Sequence, residues 1–281
     1  MLLGTPIRSA TAKASECERE GAMTRSDAKN SRKKLGALVL LLAMVVGSAG
    51  ARAGDQSGAS SGPAVDARFS IGAVLYADDF SSLSNQWKSE LEKGGRVSAK
   101  DGALDIDVPG GATVWFTPPL HGPVMIQYEA TAVSAGGPHD RVSDLNCFWM
   151  ASDSRNPADL FGVKRSGKFS DYNQLLCYYV GLGGNSNTTT RFRRYVGDAV
   201  QRPLLPGNDR REKADLLVAN KPQLIQLVAD GNLIQFYRDG RKIFEFDDPQ
   251  PYTFGRFAFR TTASHLRIQH FRVFEIQPQV R

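Results

Sequence analysis

Three β-rich segments joined by two identical turn pairs constrain the fold of this chain most. Residues 224–246 contain the runs LIQLVA, LIQFYR and KIFEF, which are separated at Asp230-Gly231 and at Asp239-Gly240. Asp-Gly tolerates positive φ at both central positions of a two-residue turn, so it favours tight hairpins. The sequence therefore predicts three consecutive antiparallel strands in this region.

The rest of the predicted domain also favours strands over helices. Leu104 to Val108 alternates apolar and polar residues with the period of two that is typical of a half-buried strand. No long stretch has helical periodicity. Further β-rich runs occupy residues 113–116, 124–133, 145–151, 175–182, 189–195, 256–261 and 266–276. Many short strands separated by turn residues predict an all-β, two-sheet antiparallel sandwich.

The first 53 residues have the features of a secretory leader. Basic residues precede an apolar run from Leu35 to Val46, and Ala51-Arg52-Ala53 follows as an A-x-A cleavage pattern. The apolar run has 12 residues, whereas a membrane-spanning helix needs about 20. We therefore expect cleavage before Gly54 and a secreted or periplasmic protein.

The mature chain divides into a linker and one domain. Residues 54–68 are rich in Gly and Ser and are typical of a flexible linker. The remaining residues, 69–281, are numerous enough for one sandwich domain with a large core.

The charge of the mature chain indicates no general affinity for nucleic acid or membranes. The whole chain has 35 Lys and Arg against 29 Asp and Glu, a net charge of +6. Residues 1–53 hold nine basic and four acidic residues, which leaves 26 and 25 and a net charge of +1. We therefore expect neither nucleic acid nor, after leader cleavage, a membrane as partner. The oligomeric state stays open.

Three parts of the sequence resemble a known superfamily. They are Asp78-Asp79-Phe80 before Trp87, the meander VADGNLIQFYRDGRKIFEF, and the ending GRFAFRTTASHLRIQHFRVFEI. Together they resemble the concanavalin A-like lectin/glucanase domains. Within that superfamily, residues 76–276 are similar to a group of secreted bacterial proteins near the 3-keto-disaccharide hydrolase domains and the jelly-roll polysaccharide lyases. The resemblance implies a concanavalin A-like jelly roll and a polysaccharide or oligosaccharide partner, but fold alone does not fix a reaction.

The most polar and aromatic part of the domain, residues 136–195, is the candidate site. Strand alternation places Arg191, Arg193 and Tyr195 on one face. Guanidinium groups and aromatic rings suit the hydroxyls, carboxylates and ring faces of sugars. A solvated outer face is the other interpretation of this pattern. We predict that the face lies in one groove with the candidates that precede it, which are His139, Arg141, Asp144, Asn146 and Tyr178.

Three functions compete for this site. The first is β-elimination at a uronate, in which one set of groups neutralises the carboxylate and a His or Tyr moves the protons. The substrate-binding candidates are Arg141, Asp144, Asn146, Arg191 and Arg193, and the catalytic candidates are His139, Tyr178 and Tyr195.

The second function, implied by the resemblance, is cleavage of 3-keto-glycosides by a hydrolase or lyase reaction, with Asp144 or Asp171 as acid or base. The third is a non-catalytic, lectin-like sugar-binding module. The sequence lacks the G-x-S-x-G, H-E-x-x-H and P-loop motifs, as well as the E-x-D-x-x-E strand of the related endoglucanases. The concentration of Arg, His and Tyr in residues 136–195 favours catalysis over binding alone, so we predict β-elimination, with the other two functions as alternatives.

No cofactor is expected, with one exception to consider. Asp78 and Asp79 stand at a predicted turn, where paired carboxylates suit a structural calcium ion as well as a simple surface turn. Cys147 and Cys177 remain after leader cleavage, and their spacing leaves a disulfide open.

Overall fold

Residues 65–279 are described by the structure, which is a computed structural model. The predicted leader, its cleavage site and linker residues 54–64 lie outside the described residues, so these assignments stay predictions. The described strands are β1 (Phe69–Asp78), β2 (Trp87–Leu91), β3 (Arg96–Lys100), β4 (Ala103–His121), β5 (Val124–Ala132), β6 (Leu145–Asp153), β7 (Leu175–Gly183), β8 (Thr189–Val196), β9 (Asp209–Arg210), β10 (Gln223–Asp230), β11 (Leu233–Arg238), β12 (Arg241–Asp247) and β13 (Phe254–Pro278).

Helical structure within residues 65–279 is confined to single turns. Three of them are 3₁₀ helices at Leu160–Gly162, Phe169–Tyr172 and Lys213–Asp215, and a fourth helical turn covers Gly184–Asn187. No helix in this range is long and apolar enough to cross a membrane.

The predicted meander is confirmed. β10 pairs with β11 up to the Asp230–Leu233 pair, and β11 pairs with β12 up to the Arg238–Arg241 pair. Asp239 has a φ of 51°, and Gly231 and Gly240 have φ values of 56° and 75°. Asp239-Gly240 therefore forms the predicted turn with positive φ at both positions. In the first turn Asp230 still pairs with Leu233, so the turn residues are Gly231 and Asn232, and only Gly231 has positive φ.

Two long strands, β4 and β13, connect two antiparallel sheets. The first sheet has the order β12-β11-β10-β5-β13 and is completed by β1, β3 and the first half of β4. The second has the order β9-β8-β7-β6-β13 and continues into the second half of β4 and then β2. This is the predicted two-sheet antiparallel jelly roll.

The change from one sheet to the other falls at irregular backbone. β13 shifts register between Thr262 and Ser264, and Ala263 between them has a φ of 45°. On β4 the turning point holds Gly111, where an added Cβ would lie 2.4 Å from the carbonyl oxygen of Gly167. A side chain at residue 111 would displace the segment that crosses it.

The core between the sheets is aromatic. The ring of Trp87 lies 5.2 Å from Phe116 and 5.0 Å from Phe271, measured between centroids. Its indole N–H donates to Asp78 Oδ2 at 2.8 Å, and Phe80 packs against the same ring. The Asp-Asp-Phe…Trp motif that carried part of the resemblance thus holds the core together.

A second apolar cluster lies on the opposite, outer face of the second sheet. Trp115, Phe148 and Tyr172 are fully buried there, although no other sheet covers them. The cover is the segment between β6 and β7, residues 154–174, which crosses this face. We call it the covering segment.

The two mature cysteines do not pair. Cys147 belongs to the core between the sheets, whereas Cys177 belongs to the outer cluster, so one sheet separates the two free thiols. Burial raises the pKa of the Cys147 thiol to about 12, so this group stays protonated and unreactive at neutral pH.

Candidate functional site

Strand register places a polar row across the outer face of the second sheet. Arg260 of β13 pairs with Asn146 of β6, Asn146 pairs with Gly181 of β7, and Gly181 pairs with Arg191 of β8. Directly opposed residues project to the same side of a sheet. The side chains of Arg260, Asn146 and Arg191 therefore lie in one row with Gly181, which has no side chain.

The next row toward the covering segment is aromatic and cationic. It contains Phe148 of β6, Tyr179 of β7 and Arg193 of β8, and Tyr195 follows on the same face. The Tyr179 hydroxyl leans over Gly181, because a Cβ built on Gly181 would lie 2.7 Å from it. Because Gly181 has no side chain, there is open space above it, and the Tyr179 hydroxyl lies at the edge of that space.

These rows form the floor of a cavity of about 410 Å³. Volumes of roughly 300–1,000 Å³ are typical of small-molecule sites. Besides the row residues, it is lined by Glu92, Asp144, Phe169, Gly184, Asn185, Thr189, Arg202, Thr261 and Thr262. The size and the mixed lining fit one or two sugar rings rather than a large apolar ligand.

Arg260 is the most unusual group of the cavity. It is 2% exposed and donates to the Thr113 hydroxyl at 3.0 Å and to the Gly167 carbonyl oxygen at 2.7 Å. Burial lowers its pKa, against the attraction of Tyr172, Tyr179 and Glu92. Within residues 65–279 no carboxylate forms an ion pair with it. Glu92 lines the same cavity but forms no ion pair with Arg260, so the buried guanidinium has no carboxylate of the described residues against it and points to an anionic ligand.

Two further arginines of the cavity also lack a carboxylate partner among the described residues. Arg193 donates to the carbonyl oxygen of Arg202, and burial lowers its pKa. The Arg202 guanidinium lies over the Phe169 ring, 5.3 Å from its centroid. The guanidinium groups of Arg193, Arg202 and Arg260 are therefore all available to an anion.

Three buried polar atoms of the lining have no hydrogen-bond partner within the described chain. They are Asn146 Oδ1, Thr261 Oγ1 and the Tyr195 hydroxyl. Their residues are 4%, 2% and 0% exposed. Buried polar atoms in folded proteins nearly always have partners. Asn146 and Tyr195 face the cavity, and a hydroxyl-rich ligand would satisfy their unpartnered atoms, whereas Thr261 pairs with the core residue Ala112 and turns its hydroxyl toward the core.

The two tyrosines of the cavity are neutral at physiological pH. Burial raises the pKa of Tyr195 to about 12, although Arg202 and Arg193 act in the opposite direction. Burial also raises the pKa of Tyr179 well above its ordinary value, as do the neighbouring Tyr195 and Asp144. Both phenols can therefore donate a hydrogen bond or a proton to a ligand.

Asp144 reaches the cavity because neighbouring groups hold it there. Its Oδ2 accepts from Arg141 at 2.6 Å and from the Ser143 hydroxyl at 2.6 Å. Arg141 also donates to the carbonyl oxygens of Thr262 and Ala263, at the change between sheets. Arg141 therefore does not line the cavity, contrary to prediction, but fixes a carboxylate that does.

Tyr178 faces the wrong side for its predicted role. Its ring lies in the core between the sheets, and its hydroxyl donates to Asp248 at 2.6 Å. The neighbouring Tyr179 takes the position in the cavity. The correction has a simple cause: the register pairs Asn146 with Gly181, so odd-numbered β7 residues share the face of Asn146.

His139 also lies outside the cavity, although its loop ends there. Its Nδ1 lies 2.7 Å from Asp107 Oδ1, on the side of β4. Next to it, His265 lies between Asp140 Oδ1 at 2.8 Å and Asp105 Oδ2 at 3.0 Å. The placement corrects the prediction that His139 enters the groove as a proton acceptor, because its ring is bonded elsewhere.

The remaining predicted residues keep their sequence-based faces. Arg191, Arg193, Tyr195, Asn146 and Asp144 all line the cavity. Arg191 is bound by both oxygens of Asp209 at 3.0 Å, so its charge is already neutralised. The structure therefore brings together five of the eight predicted residues.

Asp171 and the Asp78–Asp79 pair lie away from the cavity. Asp171 Oδ2 accepts from the Ser166 amide and hydroxyl, both at 2.7 Å. Asp78 accepts from Trp87 and the Phe80 amide. No group of three or more His, Cys, Asp or Glu side chains in residues 65–279 could hold a metal ion. The calcium site stays a prediction.

Sequence reasoning missed Arg260, Arg202, Tyr179 and Phe169. Arg260 lies in the run GRFAFRTTASH, where it looks like one polar position of a strand. A lone arginine flanked by aromatic and small residues is the only signal that could have marked it. Arg202 and Phe169 come from connections, whose path over a sheet cannot be inferred from strand alternation.

Comparison with known proteins identifies a family and a fold. A family model described as "Domain of unknown function (DUF6250)" matches residues 106–271. No curated protein matches the sequence significantly. Among solved structures, a protein of unknown function with a galectin-like fold from Bacillus subtilis has a TM-score of 0.60 and 19% identity. The match covers 75% of this chain and 100% of that one. It confirms the predicted jelly-roll fold.

Two other solved structures are more distant. A carbohydrate binding module, CBM66 from Bacillus subtilis, has a TM-score of 0.46 and 12% identity over 69% of this chain and 99% of that one. An endo-β-1,3-glucanase from Pyrococcus furiosus has a TM-score of 0.44 and 11% identity over 75% and 96%.

Proposed function

For this chain, which belongs to the family described as a domain of unknown function, DUF6250, we propose that the cavity binds a uronate residue of a polysaccharide or oligosaccharide. One observation carries the proposal: the buried guanidinium of Arg260 has no carboxylate partner among residues 65–279 and lines the cavity. A ligand carboxylate supplies the missing charge.

The other lining groups fit the rest of an acidic sugar. Planar guanidinium groups bind carboxylates through two parallel hydrogen bonds, and Arg193 and Arg202 stand with Arg260 around the same space. Asn146 and Tyr195 supply unpartnered polar atoms that sugar hydroxyls can satisfy. A neutral sugar would satisfy these polar atoms, but it would bring no anion to the guanidinium groups of Arg193, Arg202 and Arg260.

β-Elimination is a second candidate function, and the Tyr195 hydroxyl favours it. In this reaction the C5 proton of the uronate goes to a base, the C4–O bond breaks, and a C4–C5 double bond forms. The guanidinium groups would neutralise the carboxylate and so acidify C5–H. In this proposal Asp144, which lines the cavity, would accept the proton, and the neutral Tyr195 phenol would protonate the leaving oxygen.

Binding is tested by titration calorimetry with named acidic and neutral glycans. We expect heat from polygalacturonate, alginate or hyaluronan and none from dextran. Arg193→Ala should weaken binding by about one to two decades, the value of one charge-assisted contact, with little change in melting temperature. The control is Arg210→Ala, an exposed arginine of β9 outside the cavity. Equal binding of dextran, or binding of dextran sulfate alone, would contradict a uronate ligand.

Elimination is tested separately by ultraviolet absorbance of the unsaturated product, with reducing-sugar release recorded alongside. If the protein is a lyase, absorbance rises with the uronate that binds, and Tyr195→Phe lowers the rate more than the affinity. Reducing sugar without absorbance would show hydrolysis instead. Binding without either signal would show a lectin-like module.

A further inference from the structure

We propose that the cavity receives the acidic sugar at the end of a glycan chain, not one within it. This inference rests on the proposed function and adds the mode of recognition. The geometric reason is that the covering segment and the connection after β8 close one side of the cavity. A chain that enters from the other side has no exit.

The closed side begins at the covering segment's crossing of β4. Gly167 packs so tightly there that a Cβ on it would lie 2.4 Å from the Glu92 backbone nitrogen. The carbonyl oxygen of Gly167 accepts from Arg260. No space for a sugar ring remains between the covering segment and this part of the sheet.

The closure continues over the aromatic row. Phe169 of the covering segment lies 5.8 Å from the Tyr179 ring, between centroids. Arg202 approaches from the connection after β8 and lies over the Phe169 ring at 5.3 Å. Its carbonyl oxygen accepts from Arg193. The two connections thus meet above Tyr179 and form an end wall.

The covering segment is fixed and not a loosely attached lid. The side chains of Arg165 and Asp153 are fully buried and form an ion pair at 2.5 Å. The Tyr172 hydroxyl donates to Glu90 at 2.7 Å, and Arg165 lies 3.5 Å from the same carboxylate group. Opening this side would expose an aromatic cluster and break a buried charge network, so the wall persists during binding.

The opposite side of the cavity is open. It is bordered by the β7–β8 turn, where Gly184 has no side chain and Asn185 is exposed. A Cβ added to Gly184 would meet no atom closer than the Thr189 hydroxyl at 3.4 Å. The cationic groups Arg193, Arg202 and Arg260 lie toward the wall. The carboxylate of the terminal sugar therefore binds at the wall, and the rest of the glycan extends out of the cavity past the β7–β8 turn.

The number of protein molecules bound per glycan chain tests this inference. Homogeneous oligogalacturonides and hyaluronan oligosaccharides of increasing length are titrated by calorimetry, together with galacturonate and glucuronate. Chain-end recognition predicts a number bound per chain that does not change with length. It also predicts a monosaccharide affinity within about tenfold of the best oligomer, or 1.4 kcal/mol.

Recognition of internal residues gives a different result. The number bound per chain would then rise in proportion to length, and the monosaccharide would bind at least about 100-fold more weakly. Either finding overturns the inference and leaves the proposed function intact. Absence of binding at every length overturns the proposed function and this inference with it.

A variant of the wall provides a second measurement. Phe169→Ala removes the ring that meets Arg202, and it should raise the number of molecules bound per long chain by opening the closed side. Lys168→Ala, at an exposed neighbour in the covering segment, should leave that number unchanged. A Phe169→Ala protein that melts normally and keeps the wild-type number on long chains would show that the wall lies elsewhere. The length series on the wild-type protein decides the matter if this variant does not fold.

Discussion

Two buried arginines over the same sheet face have opposite surroundings. Arg165, in the covering segment, has a fully buried side chain that is paired with Asp153 and lies near Glu90. Arg260, in the cavity, is 2% exposed and has only the Thr113 hydroxyl and the Gly167 carbonyl as acceptors. The same residue type is therefore internally neutralised in one half of the face and left charged in the other.

This difference separates stability from function on a single sheet. A buried ion pair holds its neighbours in place, and removal of one partner leaves a charge that cannot reach water. A buried cation without an ion pair is costly for the folded protein, and a ligand anion would offset that cost. We therefore expect substitutions in the covered half to change folding and substitutions in the open half to change binding.

The largest expected effect is on the covered half. Asp153→Asn removes the carboxylate that neutralises Arg165, and we expect a loss of about 3–5 kcal/mol in the free energy of unfolding. Urea denaturation followed by fluorescence measures it. The matched control is Asp101→Asn, at an exposed turn residue with positive φ, which asparagine also tolerates. A loss at residue 153 no larger than the control would show that the pair does not anchor the covering segment.

The second prediction concerns the open half, where we expect a large effect on binding and a small effect on stability. Arg260→Met should weaken binding of the uronate ligand by about 100-fold or more, the value of a buried charge-assisted contact. The unfolding free energy should change far less than for Asp153→Asn. The reason is that relief of a buried charge offsets the hydrogen bonds lost to Thr113 and Gly167. Calorimetry and urea denaturation measure the two quantities.

A control on the same strand sharpens this test. Arg256 of β13 lies outside the cavity, with its guanidinium 5.9 Å from the centroid of the Phe161 ring. Arg256→Met should leave binding unchanged. Equal loss of binding in the two variants would mean that arginine substitutions on β13 act through the sheet and not through the cavity.

The smallest effect concerns the pH dependence of stability at His265, which lies outside the cavity, between Asp105 and Asp140. Burial lowers the pKa of His265, but its hydrogen bonds to Asp105 and Asp140 raise it more, so its pKa lies above the ordinary 6.5. A raised pKa adds stability that is complete below about pH 6.5 and is lost as the pH rises through the folded-state value. The covering segment contains no histidine, so this pH dependence does not arise in the covered half.

His265→Gln measures this contribution. The variant should lose about 1 kcal/mol of unfolding free energy at about pH 6, as expected for a partly buried ion pair. The loss should shrink at about pH 9, because the stabilisation by the charged form falls as the pH rises through the raised pKa of His265. Urea denaturation at both pH values gives the difference. A loss that grows with pH would contradict the sign derived from the raised pKa.

Local signals in the sequence predicted the strands but not how the strands align. The Asp-Gly pairs gave the β10–β12 hairpins, and alternation gave the common face of Arg191, Arg193 and Tyr195. Alternation could not show whether Tyr178 or Tyr179 faces the cavity, because β7 is buried on both faces and has no polar side. That choice depends on the pairing with β6, a tertiary property.

The cavity was only partly predictable for a related reason. Asp144 and Asn146 were found because polar residues cluster around them in the sequence. Arg260 lies more than a hundred residues away and reaches Asn146 only through strand pairing. The walls come from two connections that follow no periodicity. The sequence therefore predicted about half of the residues on the floor of the cavity and none of the residues in its end wall.

The position of β13 has a consequence for how this domain acquires its structure. β13 pairs with β1, β4, β5 and β6 and contributes to both sheets, yet it follows all four in the chain. A ribosome must therefore finish most of the domain before either sheet has its central member. Until then, the edges of the earlier strands stay open to wrong partners. The risk of aggregation is therefore greatest in the interval before β13 is made.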